Sequence, residues 1–404
     1  MTTAAYTPSL GDLITFLADD LAEPDSDLAP GLAQSLGQGA AGIALLHLER
    51  AATGAGDPAT AHAWLQAAAG EPVSATARAG LYAGAPALAF VLDIAERSFP
   101  GRYTPHRDRL LDLVVQAAHQ RLDTAGERLR AGRPTHFAEY DLISGLTGIG
   151  RLLLRIRPDE AVLGRILEHL IALTHPIRRG ADRRIGWWVD HDPDPILPTH
   201  GGHANFGLAH GISGPLAFLS IAYTTGRTVE GQLEAITAIT EHLSGIAQHG
   251  PTGTWWPQWT AAAGNSHEHG HPPRPSWCYG TPGIARAVQL AAIATCNATL
   301  QRLAEQALAV SLAHPAHHEQ LTEAGLCHGW AGACLTAWYA ARDAASPDLA
   351  RLLPETTASF VTGFERSTSN RSLLGGTAGI ALTAMQLAAD ATSTTGWEQC
   401  LLLT

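Results

Sequence analysis

Two loops combine cysteine, histidine and glycine in a way that can hold a metal ion: Trp277-Cys278-Tyr279-Gly280-Thr281-Pro282-Gly283 and Leu326-Cys327-His328-Gly329-Trp330-Ala331-Gly332. Together they offer two thiolates and an imidazole, one donor short of the closed tetrahedron of a structural zinc site. Three protein ligands leave a coordination position for water or substrate, so this set predicts a catalytic metal. Two segments compete for that role, His267-Glu268-His269-Gly270-His271 and His314-Pro315-Ala316-His317-His318. Histidines in such Gly- and Pro-rich stretches more often form solvated loops than defined sites. The other cysteines, Cys296, Cys334 and Cys400, are expected to pack as small apolar residues.

Both cysteine loops belong to a longer series in which a Gly-x-x-Gly or near equivalent opens an apolar, alanine-rich run. The series is Gly39-Ala40-Ala41-Gly42, Gly84-Ala85-Pro86-Ala87, Gly145-Leu146-Thr147-Gly148, Gly211-Ile212-Ser213-Gly214, Gly280-Thr281-Pro282-Gly283, Gly329-Trp330-Ala331-Gly332 and Gly376-Thr377-Ala378-Gly379. Intervals of 45, 61, 66, 69, 49 and 47 residues between the first glycines suit a helix-loop-helix-loop unit, with insertions in the middle. The runs after each pair are apolar on most faces and predict seven inner helices. Amphipathic stretches between them, such as 108–120, 159–173 and 231–247, predict seven outer ones. The expectation is an all-α double ring, an α,α-toroid, whose pre-helix loops gather at one mouth. Glycine at each helix entrance is expected to permit close backbone approach and positive φ, and Pro86, Pro215 and Pro282 sit where a first turn tolerates proline. Residues 1–404 are read as a single domain with insertions at about 100–138, 174–209 and 250–277. The last two are expected to form loops or short strands bordering the mouth. Trp187, Trp188, Trp255, Trp256 and Trp259 in these insertions could form an apolar rim for a peptide or pack the insertions onto the ring.

Composition narrows the function. A formal net charge of -11 disfavours nucleic acid as a partner and is compatible with a basic peptide. The sequence contains no lysine, so Schiff-base and lysine general-base mechanisms are excluded. Five cysteines, without a basic signal segment at Met1-Thr2-Thr3-Ala4-Ala5-Tyr6, fit reduced thiols better than a disulfide framework. No apolar run is long enough to predict a transmembrane segment. A cytoplasmic protein is expected, with peripheral membrane association through a biosynthetic complex left open.

With the Trp-Cys-Tyr-Gly-x-Pro-Gly and Cys-His-Gly motifs and the glycine series, nearly the whole chain resembles the lanthipeptide synthetase C (LanC-like) cyclases. The resemblance implies a toroid that binds one zinc ion per chain through Cys278, Cys327 and His328. It implies closure of thioether rings by addition of a peptide cysteine thiol across dehydroalanine or dehydrobutyrine in a dehydrated precursor peptide. It also implies acid/base work for His210, in Leu208-Ala209-His210-Gly211, a type suited by an ordinary pKa of about 6.5. Asp141, in Tyr140-Asp141-Leu142-Ile143-Ser144-Gly145, matches the family's carboxylate, which would orient that imidazole; a helix-capping role is compatible. Arg274 and Tyr279 match active-site positions that could stabilise an enolate oxygen. Whether His210 acts as base, acid or both stays open.

The residues and their resemblance together favour a stand-alone zinc-dependent lanthionine-forming cyclase, working beside a separate dehydratase and an exporter. Addition of glutathione to dehydroamino acids uses the same chemistry and is the second enzymatic reading. A noncatalytic precursor-peptide-binding scaffold is the third.

Overall fold

The computed structural model describes all residues except 1–8, 25–28, 77–78, 180–181, 194–198, 200, 263–270 and 365–369. In chain order the helices are α1 (Leu10–Asp20), α2 (Ala40–Ala52), α3 (Pro58–Ala68), α4 (Ala85–Ser98), α5 (Thr104–Arg130), α6 (Phe137–Tyr140), α7 (Leu146–Ile156) and α8 (Ala161–Ala172). They continue with α9 (Ser213–Thr224), α10 (Gln232–Ile246), α11 (Thr281–Ala294), α12 (Ala298–Ala313), α13 (Pro315–His318), α14 (Trp330–Arg342), α15 (Asp348–Phe364) and α16 (Thr377–Ala389). The helices that follow the seven glycine motifs, α2, α4, α7, α9, α11, α14 and α16, each touch the next, and α16 closes on α2. These form the inner ring, and their faces are buried almost all round, as their unbroken apolar runs require.

Each outer helix packs on the inner helix before it: α3 on α2, α5 on α4, α8 on α7, α10 on α9, α12 on α11 and α15 on α14. The seventh outer helix is α1, which packs on α16, so the first and last inner-outer pairs are joined across the whole sequence. Outer helices bury one stripe only. In α3 that stripe is Ala61, Trp64, Leu65 and Ala68, the spacing of a single helical face.

Glycine is required at the helix entrances by close approach, and only once by backbone conformation. A methyl group on Gly42, Gly148, Gly283, Gly332 or Gly379 would overlap the carbonyl oxygen six residues earlier, on Leu36, Leu142, Trp277, Leu326 or Leu373. The expected positive φ at the first glycines occurs at Gly84 (φ 71°). Gly39, Gly145, Gly280, Gly329 and Gly376 instead hold extended N-cap conformations, with φ between -94° and -134°. There the loop folds back onto its own helix start and leaves no room for a side chain.

That repeated geometry produces a hydrogen-bonded girdle at the mouth. The amide of Leu142 donates to Ala209 (3.1 Å), Ala209 to Cys278 (3.2 Å), Cys278 to Cys327 (3.2 Å), Cys327 to Leu374 (2.7 Å) and Leu374 to Gly37 (3.0 Å). Leu36 then donates to Tyr82 (3.0 Å) and Tyr82 to Ile143 (3.3 Å), which returns to the starting loop. Adjacent helix entrances are thereby stitched together by backbone alone.

The axis of the ring is filled by residues 397–404, which begin with a 3₁₀ turn at Trp397–Leu401. Tyr82 donates to the Cys400 carbonyl (2.8 Å), Trp277 to Leu401 (3.0 Å), Arg286 to Leu403 (3.1 Å) and Arg151 to Thr404 (3.1 Å). Donors from separate parts of the ring thus converge on one segment, whose Leu401, Leu402 and Leu403 are fully buried.

The insertions carry short antiparallel pairs: β1 (Ile177–Arg179) with β2 (Asp182–Arg184), β3 (His203–Asn205) with β6 (Trp259–Ala261), and β4 (Gln248–Gly250) with β5 (Gly253–Trp255). Val189 bridges Thr135 and His203, and β3 in turn pairs with β6, linking residues before α7 with both later insertions. Trp187, Trp188, Trp255, Trp256 and Trp259 are all buried, so these tryptophans pack the insertions onto the ring. Cys334 and Cys400 are buried as expected, whereas Cys296 is exposed, because the chain reverses there in a left-handed turn (φ 54°) after α11. Among the described residues no helix is long and apolar enough to cross a membrane.

Candidate metal and proton-transfer site

The chemistry-bearing residues stand on or beside the girdle. Cys278 and Cys327 are themselves girdle members, His210 and His328 follow girdle residues Ala209 and Cys327, and Asp141 precedes Leu142. Because α7, α9, α11 and α14 are consecutive inner helices, their entrances bring these side chains together.

The sulfurs of Cys278 and Cys327 and one imidazole nitrogen of His328 all lie within 4.8 Å of one another. Zinc bonds of about 2.0–2.3 Å imply donor-donor edges of roughly 3.5–3.8 Å in a tetrahedron, so a small closure seats the ion. Nε2 of His328 meets Oε2 of Glu323 at 2.9 Å, which leaves Nδ1 as the nitrogen for a metal. The Cys278 thiol is held well below its ordinary range by hydrogen bonding with Cys327, assisted by His328 and Ser276. The same contact with Cys278 pushes Cys327 well above its ordinary range. Two sulfurs crowded at one point cannot both be anionic unless a cation lies between them, so the donor set fits a divalent ion.

Beside it, Nδ1 of His210 donates to Oδ2 of Asp141 at 2.5 Å. Asp141 is fully buried, and its Oδ1 accepts from the Ser144 amide (2.7 Å) and hydroxyl (3.1 Å). Buried Arg121 of α5 fixes this loop from below by donating to the carbonyls of Ala79, Ala138 and Ser144. The His210 ring lies between Phe137 (5.2 Å between centroids) and Tyr279 (6.0 Å), within 30° of parallel to both. Burial pulls the imidazole pKa down, but the Asp141 charge and hydrogen bond outweigh it and leave the pKa raised. With Nδ1 committed to Asp141, Nε2 is the atom available to take or give a proton.

Tyr279 is kept protonated by burial and by the neighbouring Cys278 charge, and it hydrogen-bonds Asn205 of β3. Gly207 makes this approach possible, because a side chain there would press on the Tyr279 ring and the Cys278 carbonyl. Arg274, partly exposed, donates to Oε1 of Glu323 at 3.2 Å. Of the insertion tryptophans, Trp259 meets Tyr279 edge-on at 6.4 Å.

All seven residues singled out in the sequence therefore gather at this mouth: the Cys278, Cys327 and His328 set, the Asp141–His210 pair, Tyr279 stacked on His210, and Arg274 joined to His328 through Glu323. Glu323, Phe137, Ser276 and Arg121 are neighbours that sequence reasoning missed. Glu323 has a detectable signal, since it stands six residues before Gly329 as Arg274 stands six before Gly280.

The competing histidine segments differ. Residues 267–270 lie outside the described residues, and His271 is exposed. His314 accepts from the Ala316 amide, while His317 and His318 bond the carbonyls of Ser311 and Leu312, so these three tie a helix turn together. Among the described residues, Cys278, Cys327 and His328 form the one group of three His, Cys, Asp or Glu side chains placed to hold an ion.

The sequence matches the profile of the family described as "Lanthionine synthetase C-like protein" over residues 31–402. No curated protein matches it by sequence. Among solved structures, one described as "Nisin cyclase" is similar with a TM-score of 0.77 and 19% identity, covering 98% of this chain and 96% of that one. That likeness establishes the α,α-toroid.

Proposed function

The chain belongs to the lanthionine synthetase C-like family, and from that premise we propose that it is a lanthipeptide cyclase. Its substrate would be a dehydrated precursor peptide, and its product a (methyl)lanthionine thioether. The observation that carries this reading is the placement of a three-donor metal set next to a carboxylate-oriented imidazole on one girdle.

Held by Cys278, Cys327 and His328, one zinc ion would supply the positive charge that keeps a substrate cysteine as thiolate at neutral pH. In the addition, sulfur bonds to the β-carbon of dehydroalanine or dehydrobutyrine and the carbon-carbon double bond becomes an enolate. One proton is lost from the thiol and one is gained at the α-carbon, so the peptide mass does not change. His210 is the group proposed to move that proton through Nε2, with Asp141 holding the ring in position. Tyr279, kept protonated by its burial, can donate to the developing enolate oxygen, and Arg274, whose charge acts on Cys327 and His328, is proposed to assist it from the metal side.

A dehydratase acting earlier and an exporter acting later complete the proposed setting, which we place in the cytoplasm. The five cysteines are all unpaired, in keeping with a reducing compartment. The test is incubation with a dehydrated, thiol-containing precursor followed by thiol alkylation. Fewer alkylated thiols at unchanged peptide mass support the proposal. Full alkylation after incubation with zinc-loaded protein overturns it, and in a parallel incubation with added glutathione a mass gain of one glutathione per site would reassign the protein to intermolecular addition.

A further inference from the structure

Among the described residues, Glu323 is the one carboxylate that touches both arms of this site. Oε2 meets Nε2 of the metal-ligand candidate His328 at 2.9 Å, and Oε1 accepts from Nη1 of Arg274 at 3.2 Å. Its backbone is fixed as well, because its carbonyl accepts the Trp330 amide at 3.0 Å and Gly329 packs on it too closely to carry a side chain. The side chain therefore projects from a rigid point at the start of α14.

Glu323 is about 45% exposed, His328 33% and Arg274 38%. Ion pairs this open to water contribute little to folding. Their geometric effect is larger: a carboxylate on one imidazole nitrogen fixes the ring plane and tautomer and raises the basicity of the other nitrogen. The opposite oxygen of the same carboxylate sets where the Arg274 guanidinium can point.

Building on the zinc-cyclase reading, we propose that Glu323 is the positioning residue of the metal centre. It presents Nδ1 of His328 to the ion and holds Arg274 in register with it. In this role Glu323 acts through the two side chains it bridges and not on the reacting atoms.

The experiment is zinc affinity by chelator competition on the full chain, for unsubstituted protein and for Glu323→Ala, Glu323→Gln and Arg274→Ala, with thermal unfolding of each. Glu323→Ala is expected to lose about 10- to 100-fold in zinc affinity with its unfolding midpoint in the presence of chelator unchanged. Glu323→Gln, whose amide oxygen still accepts from Nε2–H, should recover most of that loss. Arg274→Ala should retain full zinc affinity. Unchanged zinc affinity in Glu323→Ala overturns the proposal, as does an equal loss in Glu323→Gln. Because metal affinity is read without turnover, a protein that binds zinc as expected but closes no rings would sink the cyclase reading and leave this role for Glu323 standing. Absence of zinc from the unsubstituted protein would remove both.

Discussion

The imidazole of His210 shows how one hydrogen bond assigns a chemical role. Asp141 takes Nδ1–H, Phe137 and Tyr279 confine the ring, and Nε2 remains for proton exchange. Replacing His210 by Ala is expected to cut the cyclisation rate by about 100- to 10,000-fold while zinc content stays the same, checked by alkylation time courses beside metal analysis. The pair also has a pH signature. The folded-state pKa of His210 is raised, so the stability it contributes is complete below the ordinary histidine value of about 6.5 and is lost as pH rises through the raised value. Urea unfolding from pH 5 to 9 should therefore show the advantage of the wild type over Asp141→Asn shrinking across that window; a constant difference would contradict the ion pair.

The inner helices and their entrances are largely legible in the sequence, because the glycine pairs mark places where a loop carbonyl must touch a helix backbone. Two glycines three positions apart at the head of an apolar run carry that message in six of the seven units, and the second unit keeps only the first of them, Gly84. What joins one unit to the next is not legible. The girdle runs from main chain to main chain, so no residue type betrays it, and the pairing of α1 with α16 depends on ring closure across the full sequence. Cys278, Cys327 and His328 can be read from their chemistry, whereas Glu323 shows only a spacing from Gly329 that matches Arg274 from Gly280, and Phe137 of α6 carries no signal until the fold sets it against His210. The glycine geometry makes a prediction. Gly283→Ala drives a methyl into the Trp277 carbonyl, next to Cys278, and should destabilise the protein by about 1–3 kcal/mol in denaturant unfolding. It should also weaken zinc binding, whereas Gly245→Ala, where the added carbon meets open space, should cost neither stability nor zinc affinity.

Two segments from opposite ends of the sequence complete the molecule: α1 supplies the seventh outer helix, and residues 397–404 fill the axis. The axial segment is held by Tyr82, Arg151, Trp277 and Arg286, so it ties together the ring on which the mouth is built. We propose that residues 1–404 behave as one cooperative unit for this reason. Truncating fully buried Leu402 to Ala should cost about 2–5 kcal/mol and lower the unfolding midpoint in a single transition. Two separate transitions would contradict that unity. The mouth, in turn, concentrates the thiol, imidazole, phenol and guanidinium groups of neighbouring units, which no single unit contains.

An open metal site built from Cys278, Cys327 and His328 is the claim on which the chemistry depends, and elemental analysis of the purified protein tests it most directly. The prediction is about one zinc per chain in the unsubstituted protein, lost in both Cys278→Ala and Cys327→Ala while helical circular dichroism persists. A folded protein without zinc, or one whose zinc survives either substitution, would contradict it.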